Sequence, residues 1–467
     1  MLEFNDVSFT YKNSKKKVLK NVSFFVEQGE CVLLTGISGS GKSTVVHLIN
    51  GLIPTLYEGK VTGEILFNKE NISEKKSFDI AKEIGYVSQD PRGHFFTTNT
   101  TSELVFAMEN YGLTLEKMQE RYEEIKELLE LDSILDKNIF YISSGERQKI
   151  AIGCSLCLEP KMIILDEPSS NLDFYTTKKL TSLIQKLKIA GYTIIIAEHR
   201  VHYLKDLVDK VLLVNEGKVS EKKIYDLVNN KEIPLRSLDV FNLEIYNKKE
   251  VISSELIAKM QDINYKSILN NINLEIFKGD IIGLIGKNGA GKTTLLRLFT
   301  KIITSDSGEI IKDSNPFLVM QDMDYQFFTE SVESEIKFGN DGAEIQRIDT
   351  LLNSLSLDKL KEKIPFELSG GQKQRLLIAI AALSNVELLM FDEPTSGLDF
   401  VNMNKVSEIL KDISKNSSLI IATHDVEFLY RTCNRVVYIE DGKINKDFYL
   451  TEENKEIVKD IFLNMKG

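Results

Sequence analysis

The sequence is poor in cysteine, in long apolar runs and in positive charge, and each shortage excludes a class of protein. Four cysteines in 467 residues, Cys31, Cys154, Cys157 and Cys433, are too few for a disulfide framework, so a reducing compartment is expected. The longest apolar runs, such as Ile194-Ile195-Ile196-Ala197 and Ile281-Ile282-Gly283-Leu284-Ile285, fall far short of the ~20 residues of a membrane span. The opening residues, Met1-Leu2-Glu3-Phe4-Asn5-Asp6, lack a basic segment followed by an apolar one, so no signal peptide is expected. Lys and Arg total 58 against 69 Asp and Glu, a net charge of −11. That argues against a protein whose main work is neutralising nucleic-acid phosphates, and no nucleic-acid partner is expected. The chain is expected in the cytoplasm. Work at a membrane would go through a partner that spans it.

What the chain does have is a repeat. Residues 29–44 read GECVLLTGISGSGKST and residues 279–294 read GDIIGLIGKNGAGKTT. Residues 162–173 read MIILDEPSSNLD and residues 388–399 read LLMFDEPTSGLD; AEH at 197–199 answers ATH at 422–424. The motif order is the same in both copies. The expected division is a first domain over 1–225, a linker over 226–254 carrying Asn229-Asn230-Lys231 and Lys248-Lys249, and a second domain over 255–467. Local patterns are mixed α/β. Apolar strand runs end at glycine-rich or polar turns, and helical spacing appears at Met118, Tyr122, Ile125, Leu129 and at Ile345, Ile348, Leu352, Leu355.

Gly36-Ile37-Ser38-Gly39-Ser40-Gly41-Lys42-Ser43 and Gly286-Lys287-Asn288-Gly289-Ala290-Gly291-Lys292-Thr293 both fit the phosphate-binding pattern G-x-x-x-x-G-K-[ST]. Glycines let backbone N–H groups wrap a phosphate, and a helix opening at the lysine turns its positive end toward the same anion. Lys42 and Lys292 are expected to reach the β/γ-phosphates. Ser43 and Thr293 are expected to ligate Mg²⁺, with Thr44 and Thr294 following in the same loop. Asp166 and Asp392 each end an apolar strand and are candidate Mg²⁺ ligands. Glu167 and Glu393, one residue on, are placed to orient and deprotonate a water attacking the γ-phosphate.

Residues 368–372 read LSGGQ ahead of an apolar helix. With this motif the chain resembles the ATP-binding-cassette (ABC) ATPases over nearly its whole length apart from the linker. The resemblance implies an α/β fold of two tandem P-loop NTPase domains, each with a mixed sheet core and a helical subdomain. It also implies ATP as substrate, Mg²⁺ as cofactor, and two ATPs sandwiched between head-to-tail cassettes, each under the other copy's signature. Ser369, Gly370, Gly371 and Gln372 would cap one nucleotide, and Ser143 and Gly145 the other. Gln89 and Gln321 look like the Q-loop glutamines, which touch Mg²⁺. His199 and His424 look like the switch histidines that contact the γ-phosphate. Ser170-Asn171-Leu172-Asp173 and Ser396-Gly397-Leu398-Asp399 look like D-loops, and Tyr11 and Tyr265 are candidates to stack on adenine. One departure stands out: residues 142–146 read ISSGE, so Ser144 replaces a glycine and Glu146 the glutamine. Asymmetric sites follow as an expectation, with the one built on Lys42 and Glu167 the faster.

The segments after the two Q-loops, QDPRGHFFTT at 89–98 and QDMDYQFFTE at 321–330, together with AEHR at 197–200, resemble energy-coupling-factor (ECF) importer ATPases. His94 departs from the glutamine of that pattern. This resemblance implies a peripheral subunit at the cytoplasmic face of the cell membrane. Its partners would be an integral-membrane coupling subunit and a membrane-embedded substrate-binding subunit for a vitamin, a precursor or a metal ion. The alternatives are the ATPase of a non-ECF importer and a soluble tandem ABC ATPase acting on ribosomes. Fused sugar-importer ATPases commonly carry a degraded second P-loop, whereas Lys292-Thr293 is intact. The ribosome class predicts a long, charged, helical linker. Cys154 and Cys157 form C-x-x-C without a second pair, His199 and His202 lack a third ligand, and Lys15-Lys16-Lys17 sits in a loop. Core packing, the switch role already given to His199, and a solvated turn are the respective expectations.

Overall fold

The structure, a computed structural model, describes residues 1–227, 234–246, 253–312, 314–338, 340, 345–384 and 386–465. The chain divides into two compact units, Met1–Leu172 with Thr176–Leu238, and Asp173–Tyr175 with Asp239–Gly467.

In the first unit, largely apolar strands and one polar edge strand, Lys218–Lys222, line up as a sheet in the order Lys218–Lys222, Lys210–Asn215, Cys31–Gly36, Thr193–Ala197, Met162–Asp166, Ile84–Val87. Every pairing but the first is parallel, as expected where strands such as Cys31–Gly36 and Thr193–Ala197 are buried along their whole length. A smaller antiparallel sheet runs Leu19–Val26, Leu2–Tyr11, Gly59–Phe67, Glu70–Asn71. Three helices form the helical part: Thr100–Asn110, Leu115–Leu129 and Ser144–Leu156. Asn99 starts the first of them by accepting from the Thr101 and Ser102 N–H groups, a cap that contributes about 1 kcal/mol. In the second, Ile125 and Leu129 are buried at the expected helical spacing.

The second unit repeats this plan. Its parallel core runs Phe317–Val319, Leu388–Asp392, Ser418–Ala422, Ile281–Ile285, Arg435–Glu440, with Lys443–Tyr449 antiparallel at the edge. The smaller sheet runs Leu269–Phe277, Leu256–Tyr265, Ser307–Lys312. The helices Ile345–Ser354 and Gly370–Leu383 belong to its helical part. The architecture is thus two tandem α/β cassettes, each with a mixed sheet core and a helical part.

The segment expected as a linker carries buried residues where it is described. Leu238 packs into a core of the first unit, and Val240 into that of the second. Tyr246 N–H donates to the Tyr430 carbonyl at 2.7 Å. Asn229, Asn230, Lys231, Lys248 and Lys249 lie outside the described residues. Among the described residues no helix is long and apolar enough to cross a membrane.

Candidate nucleotide sites

Both phosphate-binding loops take the conformation their glycines permit. The first links the buried strand Cys31–Gly36 to the helix Lys42–Ile49, and the second links Ile281–Ile285 to Lys292–Phe299. Gly36 has φ +150°, and a Cβ there would lie 2.1 Å from the Val214 carbonyl oxygen; Gly286 repeats this with φ +155° and 2.3 Å to Ile439 O. Gly39 and Gly289 are also left-handed, but a Cβ on either meets nothing within 4 Å. The loops are therefore pinned by backbone on one side and open on the other, the side on which a phosphate fits. The two lysines curl over their own loops. Lys42 Nζ donates to the carbonyls of Gly36 (3.0 Å) and Ile37 (3.1 Å), and Lys292 Nζ to those of Gly286 (2.7 Å) and Lys287 (3.0 Å). Burial lowers the pKa of Lys292, against the opposing pull of Glu393, Asp392 and Asp173.

Of the carboxylates at the strand ends, Asp392 and Glu393 are buried, and Asp166 and Glu167 are half-buried. In the second unit Thr293 Oγ1 donates to Asp392 Oδ2 at 2.6 Å, so two expected Mg²⁺ ligands already touch. In the first unit Asp166 Oδ2 accepts from the Tyr86 hydroxyl at 3.3 Å, a partner the motifs did not reveal; Leu318 stands at the matching place before Gln321. Ser43 is exposed at the helix start. Burial pushes Asp166 up to about 6, opposed by the Tyr86 bond and Lys42, and burial also raises Asp392. Among the described residues no group of three or more His, Cys, Asp or Glu side chains could hold a metal ion. One carboxylate and one hydroxyl per site are a hard-oxygen donor set that suits Mg²⁺, which keeps waters and phosphate oxygens for its remaining positions.

Glu167 and Glu393 are left-handed non-glycine residues, φ 44° and 52°, a conformation that costs of order 1 kcal/mol and clusters at functional sites. Each is held by its N–H on the neighbouring strand's end, Ala197 O at 2.7 Å and Ala422 O at 2.9 Å. Burial first, then the charges of Glu198 and Asp166, push Glu167 up to about 8. The two glutamates differ in company. Gln89 Nε2 donates to Glu167 Oε2 at 2.7 Å, whereas Glu393 Oε2 accepts the His424 N–H at 3.3 Å. His199 Nε2 lies 3.5 Å from Glu167 Oε1, and His424 Nε2 3.1 Å from Glu393 Oε1. His424 Nε2 also meets Asn288 Oδ1 of the phosphate loop at 2.8 Å. Gln321 is exposed; its segment is fixed by Gln326, which accepts from Met320 N and donates to Leu318 O, both at 2.8 Å. At the matching place in the first unit, His94 lies against the Tyr86 ring instead, at 5.7 Å.

Of the two tyrosines, Tyr11 is half-buried, edge-on to Phe9, with its hydroxyl 3.1 Å from Thr44 Oγ1. Tyr265 is half-buried, with Lys266 Nζ 5.1 Å from its ring centroid. Each signature opens a helix through a capping box. In the first, the Ser143 N–H and hydroxyl both donate to Glu146 Oε2, at 2.8 and 2.7 Å. Burial raises the Glu146 carboxyl, but these bonds with Lys137 and Lys149 more than offset it and leave its pKa lowered. In the second, Gln372 Oε1 accepts the Ser369 N–H at 2.9 Å. Ser144 stands where the second copy has Gly370, and a Cβ on Gly370 would meet nothing within 4 Å. The space explains how the serine is accommodated. Gly145 and Gly371 are confined: a Cβ would lie 2.4 Å from Thr176 Cγ2 in the first case and 3.1 Å from Leu398 Cδ2 in the second.

A family model described as ABC transporter matches residues 19–170 and 269–396. A Treponema denticola protein named "Putative ABC transporter ATP-binding protein" is 38% identical over 97% of this chain and 98% of its own length. The "Putative HMP/thiamine import ATP-binding protein YkoD" of Bacillus subtilis is 28% identical over 94% of this chain and 90% of its own. Among solved structures, archaeal ABCE1, in a model of it with Pelota on the ribosome, covers 97% of this chain and 80% of its own at 21% identity and TM-score 0.73. A structure titled RNase-L Inhibitor covers 97% and 92% at 21% identity and TM-score 0.66. At such identities these likenesses speak for the fold, a tandem pair of ABC ATPase domains. The chain belongs to the ABC transporter ATP-binding family.

Proposed function

We propose that this protein hydrolyses ATP at both cassettes and so energises an importer of the energy-coupling-factor type. The observation that supports it most is the duplication of a full working set. Each unit carries a lysine at an open phosphate loop, a strand-end aspartate, and a left-handed glutamate beside a histidine. Bound Mg²⁺ would offset charge on the β- and γ-phosphates, held by Ser43, Gln89 and Asp166 in one unit and Thr293, Gln321 and Asp392 in the other. Lys42 and Lys292 leave their loop carbonyls for the phosphates. Glu167 and Glu393 orient the attacking water and take its proton. His199 and His424 hold the γ-phosphate beside that water. Ser143, Gly145, Ser369, Gly370, Gly371 and Gln372 offer helix-start donors to phosphate.

The import role is supported by the name of one relative that matches over most of its length, the Bacillus subtilis protein, and by the two segments after the Q-loops. The partners are a membrane-spanning coupling subunit and a substrate-binding membrane subunit carrying a vitamin, a precursor or a metal ion. The protein sits against the cytoplasmic face of the membrane. Tagged protein recovered from detergent-solubilised membranes of the source cells should bring a multi-spanning protein and a second, small hydrophobic one. Recovery with ribosomes and no membrane protein would overturn the import reading in favour of the ribosome-acting one.

A further inference from the structure

The two switch histidines are held by acids on opposite sides. In the second unit the sequence is Ala422-Thr423-His424-Asp425; in the first it is Ala197-Glu198-His199-Arg200. Asp425 follows its histidine. It accepts from Thr395 Oγ1 at 3.2 Å and caps the next helix through the Phe428 N–H at 3.1 Å. Glu198 precedes its histidine and is 2% exposed. Its Oε2 accepts from Ser169 Oγ (2.7 Å), Ser169 N–H (3.3 Å) and the Tyr203 hydroxyl (2.9 Å). Its Oε1 accepts the backbone N–H groups of His199 (2.8 Å) and Arg200 (3.1 Å).

Both acids thus tie the histidine loop to the same point, the residue after Asp-Glu-Pro, which is Ser169 or Thr395. Only Glu198 also takes the histidine's own N–H. That has a consequence for the glutamate next door. His424 N–H is left to donate to Glu393, while His199 N–H is occupied by Glu198 and Glu167 is bonded to Gln89 instead. A carboxylate accepting several N–H and O–H bonds in a buried site is a rigid clamp, because each bond is charge-assisted and no water competes.

We propose that Glu198 is a positioning residue for ATP turnover in the first cassette, clamping the backbone of His199 to Ser169 in place of the acid that follows the histidine in the second. Glu198 need not touch nucleotide; it sets where the His199 ring stands relative to Glu167. This rests on the ATPase reading above.

The test uses the full chain in which E393Q leaves Glu167 as the one working glutamate. Phosphate release is followed against MgATP concentration. E198A should lower kcat about tenfold or more, since small misplacements of reacting groups cost that much, and should leave KM for ATP within about twofold. The double substitution E198T/R200D moves the acid to where the second unit keeps it and should return kcat to within about threefold of the E393Q parent. Thermal melts are recorded alongside. If E198A keeps kcat within twofold, the inference fails. It also fails if kcat falls and the transposed acid does not restore it although the melt is restored, since Glu198 would then be only a packing element. An active wild type with a silent E393Q parent overturns this inference alone; a silent wild type overturns the ATPase reading itself.

Discussion

Gly36→Ala and Gly39→Ala change the same loop by one methyl group each, and the structure separates their outcomes. At Gly36 the new Cβ would lie 2.1 Å from Val214 O with φ at +150°, whereas at Gly39 it meets nothing within 4 Å with φ at +76°. The obstacle at Gly36 is a backbone carbonyl, which cannot turn aside as a side chain can. Gly36 pairs with Val214 across the strands Cys31–Gly36 and Lys210–Asn215, so relief must come from opening that ladder. An unfavourable backbone region costs about 1–3 kcal/mol and overpacking about 1–3 more, so at least ~2 kcal/mol is expected for G36A. G39A carries the left-handed penalty alone, about 1 kcal/mol. Hydrogen exchange read by mass spectrometry on peptides covering 31–36 and 210–215 reports local opening without confusing the two units. With tenfold per 1.4 kcal/mol, G36A should speed exchange about 30-fold or more and G39A about fivefold. Equal acceleration by both, or none by G36A, would refute the account of how the loop is pinned.

Other outcomes follow from the same contacts. Thr293→Ala removes the 2.6 Å partner of Asp392, so the magnesium concentration needed for half-maximal turnover should rise about tenfold, and losing a donor to a buried carboxylate should lower stability by about 1–3 kcal/mol; an unchanged magnesium dependence contradicts the assignment. The signatures differ in charge, Glu146 against Gln372, so E167Q should remove more turnover than E393Q, and equal losses argue for equivalent sites. Glu146→Ala breaks the capping box on Ser143 and should cost about 1 kcal/mol in urea unfolding, whereas Glu146→Gln, which keeps an acceptor, should cost less than half of that. Burial pushes Cys31 and Cys157 up to about 12 and raises Cys154 and Cys433. Because raised pKa values keep the thiols protonated through neutral pH and thiolate appears only as pH rises, native protein should react with less than one equivalent of a thiol reagent at pH 8.

The parts of the fold that the sequence disclosed are those with chemical grammar. G-x-x-x-x-G-K-[ST] demands strand, turn and helix, and the structure supplies them at Gly36–Ser43 and Gly286–Thr293. Apolar runs ending in Asp-Glu gave the parallel strands Met162–Asp166 and Leu388–Asp392. Contacts between residues far apart in the chain had no such signal. The bond from Tyr86 to Asp166 joins segments 80 residues apart, and neither residue's identity encodes it; the family resemblance put Gln89 beside the Asp-Glu pair but did not foretell its bond to Glu167. Glu198 was readable as a variant of the histidine motif, but its clamp on Ser169 depends on two strand ends lying side by side. The buried Leu238 and Val240 were hidden for a different reason: short apolar stretches flanked by polar residues read as loop whether or not a surface waits to cover them.

Phosphate release from ATP by the purified full chain, with and without Mg²⁺, tests the central claim most directly. Wild type should release phosphate only when magnesium is present, and the E167Q/E393Q double variant should fall to the protein-free background. Release that persists in the double variant, or none from wild type even after reconstitution with the membrane proteins it brings down, would contradict the account.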